Sequence, residues 1–195
     1  MIIHNFEQRS PEWFELRRGK FTGSKFGNLL AKKTTDTYEK LINRVVFEIL
    51  SDTNVVEYVS DSMRRGTELE PDARTEYQKK TFSLVREVGS VQVNDYVLVS
   101  PDGLIGNDGG LEIKCLEYNN LIKFLTTQEI PRDYDYQIQG CIWACEREWW
   151  DYFVYHPDLD TEPLRVYRDD KKIKTLETEL EIAINEVEER LGKLK

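Results

Sequence analysis

Apolar and polar positions alternate most tightly over residues 97–116, VLVSPDGLIGNDGGLEIKCL. Val97, Leu98 and Val99 read as a short strand, stopped by Ser100, Pro101, Asp102 and Gly103. Gly106, Asn107, Asp108, Gly109 and Gly110 form a dense turn signal, and 111–116 reads as the return strand of a hairpin. Alternation puts Glu112 and Lys114 on one face and Leu111, Ile113 and Cys115 on the other. Elsewhere the apolar spacing changes to three and four. It predicts helices over 11–18, 25–32, 38–51, 60–80, 119–128, 133–146 and 169–195. Ser10 caps the first, with Pro11 at its first position. Gly66 and Pro71 interrupt the fourth, which is expected to kink or to restart near Glu70. One or two strands fall within 82–93, and others over 148–156 and 164–167. In the third helix Leu41, Ile42, Val45, Val46, Ile49 and Leu50 read as core. In the last, Ile173, Leu176, Leu180, Ile184, Val187, Leu191 and Leu194 form one packing stripe for its own subunit or a neighbour.

With 195 residues, 39% of them hydrophobic and 11% aromatic, one α/β domain is expected, a small mixed sheet flanked by helices. No run is long and apolar enough for a membrane span, and MIIHNFEQRS lacks the layout of a signal peptide. Cys115, Cys141 and Cys145 fit a reducing cytosol, and Cys141 and Cys145 read as core. The net charge of −9 argues against a protein that coats DNA. Locally, however, Arg9, Arg17, Arg18, Lys20, Lys25, Lys32 and Lys33 face only Glu7, Glu12 and Glu15. A confined basic groove on an acidic body is compatible with screening over about 8 Å. The aromatic segment 149–155 reads as a buried strand rather than a base-stacking platform, and neither His4 nor His156 is assigned chemistry.

The hairpin would bring Asp102 close to Glu112. Two carboxylates with Lys114 beside them suit a divalent metal, which takes oxygen ligands and lowers the pKa of bound water. Lys114 would orient or deprotonate that water, or offset developing charge. By spacing alone, Arg17 and Ser24 read either as a phosphate cradle at a helix start or as a surface arginine and an ordinary cap. Gln137 and Gln139 cannot face the same way on one helix.

Pro101-Asp102 followed by Glu112-Ile113-Lys114 resembles the PD-(D/E)XK nuclease signature. Trp13 through Arg17, with Gly19 and Thr22-Gly23-Ser24, resembles the opening of the YqaJ-type and phage lambda-type exonucleases, as does Glu70-Pro71-Asp72-Ala73-Arg74 their acidic helix. The resemblance implies a restriction-endonuclease-like fold, with Mg²⁺ (or Mn²⁺) held by Asp102, Glu112 and the Ile113 carbonyl. It implies that Glu70 faces the metal, that Lys114 is catalytic, and that Gln139, ahead of Gln137, lies beside the site. Arg17 and Ser24 would bind a terminal phosphate, with Ser100 and Gln137 as further phosphate contacts. The implied activity is 5′-to-3′ digestion of one strand at double-stranded DNA ends. It would operate with a single-strand-annealing recombination protein, as a homo-oligomeric trimer, phage- or prophage-encoded, in the bacterial cytoplasm. The chain departs from the lambda pattern in its shorter length and at Leu116. Two rivals stand beside this reading: a related endonuclease or repair nuclease, and an inactive DNA-binding module.

Overall fold

The structure, a computed structural model, describes residues 1–56 and 58–194. Glu57, in the stretch read as a connector, and Lys195, at the end of the last expected helix, lie outside them. The first half of the chain runs β1 (Ile2–His4), α1 (Pro11–Arg17), β2 (Phe21–Thr22), α2 (Phe26–Leu29), α3 (Asp36–Ser51) and α4 (Asp61–Thr81). Then come β3 (Val85–Arg86), β4 (Ser90–Gln92), β5 (Val97–Val99), β6 (Gly103–Ile105) and β7 (Gly109–Lys114). The chain closes with α5 (Tyr118–Thr127), α6 (Arg132–Ala144), β8 (Trp149–Val154), β9 (Leu164–Tyr167) and α7 (Asp170–Leu194).

The strands form two mixed sheets, ordered β1-β4-β5-β2 and β3-β6-β7-β8-β9. In the first, β5 pairs antiparallel with β4 and parallel with β2. The return partner of β7 is therefore β6, not β5: Gly103 faces Leu111, and Ile105 faces Gly109. Residues 97–99 leave for the other sheet because Ser100 and Pro101 break the strand before Gly103. On its far side β7 lies parallel to β8, with Glu112 level with Tyr152.

Most of the second sheet is covered on both faces. Ala73 and Tyr77 of α4 pack on Ile105, Leu111, Ile113 and Phe153. The other face joins the main core with α2, α3, α6 and α7. Burial on both sides explains why β8 reads as a nearly continuous apolar run. Its Trp150, Tyr152, Phe153 and Val154 are core residues. Gly106 has φ of +53° and makes the β6–β7 turn. Gly109 and Gly110 sit inside β7 instead, where a Cβ would come within 2.2 Å of the Trp149 and Trp150 rings.

Several expectations are corrected. The helix expected over 25–32 is a 3₁₀ turn, Gly23–Lys25, and the four-residue α2. Leu30 and Ala31 bond back three residues, which tightens and ends it. α4 runs without interruption through Pro71, whose missing N–H lies on the exposed side. Ile49 and Leu50 of α3 are exposed, while Glu48 is buried. α7 packs on its own chain through Ile173, Leu176, Leu180, Ala183, Val187 and Leu191. Leu194, the last of the expected stripe, is exposed.

Candidate active site

The end of β7 carries the acidic pair. Glu112 is 1% exposed. Its Oε1 accepts from Lys114 Nζ and, at 2.7 Å, from Gln137 Nε2 on α6. Its Oε2 is buried with no hydrogen-bond partner among the described residues. Asp102 precedes β6, and its Oδ2 accepts from the Ile113 amide at 2.7 Å. A strand residue's N–H and C=O point to the same edge, so the Ile113 carbonyl also faces Asp102. Lys114 Nζ lies 4.8 Å from the centre of the Tyr134 ring.

Burial raises the Asp102 pKa well above the ordinary carboxylate value, and the charges of Glu112 and Glu70 raise it further; Lys114 and the Ile113 amide only partly offset this. Burial opposes the charge on Lys114, but Glu112 and Asp102 outweigh it and raise the pKa. The site is thus crowded with negative charge and keeps Lys114 cationic. Among the described residues no three His, Cys, Asp or Glu side chains gather into a ready-made metal cage. An orphaned, buried Glu112 oxygen next to a destabilised Asp102 suits a hard cation that takes one or two carboxylates and fills its shell with water and phosphate.

Glu70 stands on α4 at the edge of this group and is committed to cations. Its Oε1 pairs with Arg74 at 2.8 Å and its Oε2 with Arg9 at 3.0 Å. Arg74 also donates to the Asp102 carbonyl at 3.2 Å and pairs with Glu87 at 2.9 Å.

The two glutamines divide as their spacing requires, with the order of preference reversed. Gln137 reaches Glu112. Gln139 is turned away: its amide donates to the Tyr167 carbonyl and accepts from the Asp169 amide, both at 2.9 Å. That ties α6 to the junction of β9 and α7.

A polar cluster lies next to the acids along the chain. Ser100 Oγ accepts from Trp13 Nε1 at 2.9 Å and Arg17 Nη1 at 3.0 Å, and meets Ser90 Oγ at 2.9 Å. The Arg17 guanidinium stacks 4.0 Å from the centre of the Trp13 ring. Buried Glu48 steadies the turn after Arg17 by accepting from the Gly19 amide at 2.8 Å, while pairing with Arg44 at 3.1 Å. Parallel β2 and β5 deliver the serines to one end of the sheet. Gly23 lies against Val99, so Ser24 and Ser100 follow from neighbouring positions. Ser24 is exposed, but Thr22 holds the cap position and α2 is too short for the helix-start argument. Pro101 alone separates Ser100 from Asp102; it is buried, and its carbonyl accepts from Gln8 at 2.9 Å.

The sequence reading assigned no individual site role to Trp13, Ser90, Glu48, Arg9, Arg74 or Tyr134. Two had a local signal: Trp13 and Arg17, like Glu70 and Arg74, are four apart on a helix and so are neighbours. The others act across long separations. Cys141 and Cys145 are buried, and burial raises both thiol pKa values, that of Cys145 to about 12, as suits protonated core residues.

The family model described as "YqaJ-like viral recombinase domain" matches residues 12–148. The chain is similar to the alkaline exonuclease LHK-Exo of Laribacter hongkongensis, with 30% identity, a TM-score of 0.88, and 95% of this chain and 96% of that one covered. The structure of LHK-Exo in complex with dAMP gives 31% identity and a TM-score of 0.89 over the same shares. A phage-related exonuclease of Haemophilus somnus shares the fold at 14% identity and a TM-score of 0.67, with 90% of this chain and 96% of that one covered. Comparison with curated proteins gives no match. Among the described residues no helix is long and apolar enough to cross a membrane.

Proposed function

This chain belongs to the YqaJ-like viral recombinase family, and on that footing we propose a Mg²⁺-dependent exonuclease that digests one strand of linear double-stranded DNA from a 5′ end. Kinship with an alkaline exonuclease over nearly the whole chain supports a nuclease. That relative's complex with dAMP supports a site that accepts a deoxynucleotide. The observation that carries the metal-dependent reading is the buried, unpartnered Glu112 Oε2 beside Asp102.

Asp102, Glu112 and the Ile113 carbonyl would hold Mg²⁺, with Mn²⁺ as a substitute. Bound there, the ion supplies a Lewis acid and a low-pKa water. Lys114, beside both carboxylates, would orient the attacking water and offset the developing phosphate charge. Gln137 holds Glu112 in place. Arg17, Ser24 and Ser100 would take the 5′-terminal phosphate, Arg17 through its planar fork of donors. Glu70 supports the acids through Arg74 and the Asp102 carbonyl. The broader setting proposed is a trimer acting with a single-strand-annealing protein in phage-type recombination in a bacterial cytoplasm.

Linear and circular duplexes, each with Mg²⁺ or EDTA, test the reading. Loss of linear DNA alone, in Mg²⁺ only, with label released first from the 5′ end, is the expected result. Cutting of circles indicates an endonuclease, and no cutting indicates a binding module.

A further inference from the structure

Arg65 differs from the arginines that pair with carboxylates. Its Nη1 is buried yet finds no acceptor among the described residues. Arg9, Arg18, Arg44, Arg74 and Arg165 are all held by carboxylates. Neighbouring Arg64 is exposed and pairs with Asp61. Arg65 as a whole is only half-buried, and no hydrogen bond or ion pair engages its guanidinium among the described residues, so its accessible edge keeps donors and charge for a partner from outside the chain.

Its position says which side that partner comes from. α4 runs antiparallel to β7. The Tyr77 hydroxyl bonds Asp151, which is level with Leu111. One turn earlier Arg74 reaches the Asp102 carbonyl. Going back from Tyr77 to Arg65 covers twelve helical residues, about 18 Å. From Leu111 to Cys115 the strand covers four steps, about 13 Å. Arg65 therefore lies at and beyond the carboxyl end of β7, the side on which α/β sheets bind ligands. It is the foremost charged neighbour of Cys115, ahead of Glu70, Asp102 and Lys114.

Among the described residues, none of the local anions pairs with Arg65. Glu70 is taken by Arg9 and Arg74. Asp102 and Glu112 face Lys114. With a net charge of −9, the chain needs local cations to hold a polyanion.

We infer that Arg65 contacts the DNA backbone, its guanidinium taking a phosphate oxygen of the strand that crosses the carboxyl ends of β7 and β8. The assignment rests on the nuclease reading above and adds a contact outside the terminal-phosphate group and the acids. Arginine suits it because its donors meet phosphate oxygens in a fixed fork.

Duplex binding measured against KCl, with Ca²⁺ in place of Mg²⁺ to prevent turnover, reads the contact directly. Neutralising one phosphate contributes about 0.9 to the slope of log K against log salt. Arg65→Met keeps the packing stem without the charge and should lower that slope by about one. Between roughly 50 and 200 mM salt it should lose about 3- to 4-fold less affinity than wild type does. Arg65→Lys should keep the slope, and Arg64→Ala should match wild type. A wild-type slope for Arg65→Met overturns the assignment. A changed particle mass with an unchanged slope also overturns it and makes Arg65 a contact between chains. A wild type that cuts linear DNA alongside an unaltered Arg65→Met slope removes the Arg65 contact alone. A wild type that neither cuts nor binds duplexes removes the nuclease reading as well.

Discussion

Burial, and then the charges of Glu112 and Glu70, make ionised Asp102 unfavourable in the metal-free fold. A carboxyl whose pKa is raised by folding binds more protons folded than unfolded. Stability therefore falls as pH rises from the ordinary value of 3.8 through the raised one. Asp102→Asn, which can still accept from the Ile113 amide, removes that penalty. In EDTA at neutral pH it should melt several degrees above wild type, at about 2–4 °C per kcal/mol relieved for this chain length. The gap should close as pH falls toward 4. Added Mg²⁺ should raise the wild-type Tm and leave the variant unmoved, and cleavage by the variant should be abolished. Thermal melts across pH, with and without metal, check each part. A variant less stable than wild type at every pH would show that the acids do not oppose one another.

Gln137 and Gln139 show what one helix does with neighbouring polar residues. Gln137→Ala loosens Glu112 and should lower turnover about tenfold or more at nearly unchanged Tm. Gln139→Ala leaves the Tyr167 carbonyl and the Asp169 amide without their partner, a loss of about 1–3 kcal/mol. Its signature should be a lower Tm with turnover retained below the melt. Single-turnover rates and melts of both variants separate the roles. The sequence alone gives their opposition but not which glutamine faces inward, because that depends on how α6 is rotated against β7. The same limit recurs across the fold. The Glu112–Lys114 face was legible because strand alternation is local. The partner of β7 was not, since pairing with β8 spans a separation of forty residues. α4 was harder to read for another reason: proline propensity argues for a break, and packing of Ala73 and Tyr77 overrides it.

At the scale of the whole molecule, the two polar groups sit on two different sheets. The Arg17–Ser100 cluster lies at the end of the first, and Asp102, Glu112 and Lys114 belong to the second. In the function proposed here, one grips the DNA end and the other cuts. Wild type should therefore prefer 5′-phosphate over 5′-hydroxyl duplex ends. Arg17→Ala should lose most of that preference while still cutting. Initial rates on the two substrates test it, and equal wild-type rates would leave Arg17 as a structural partner of Ser100 and Trp13.

The link between those two tasks is a single residue. Ser100 and Asp102 flank Pro101, so their Cα atoms lie no more than about 7 Å apart. Proline fixes one torsion of that link, and Gln8 holds its carbonyl in the buried wall. An enzyme built this way carries its own ruler. In the function proposed, the stride from the held end to the cut bond would be set by covalent bonds rather than by a movable interface between domains. Each bite should then be the same size whatever bases are being eaten, and stride length should respond to lengthening this one joint more than to any change in how firmly DNA is held.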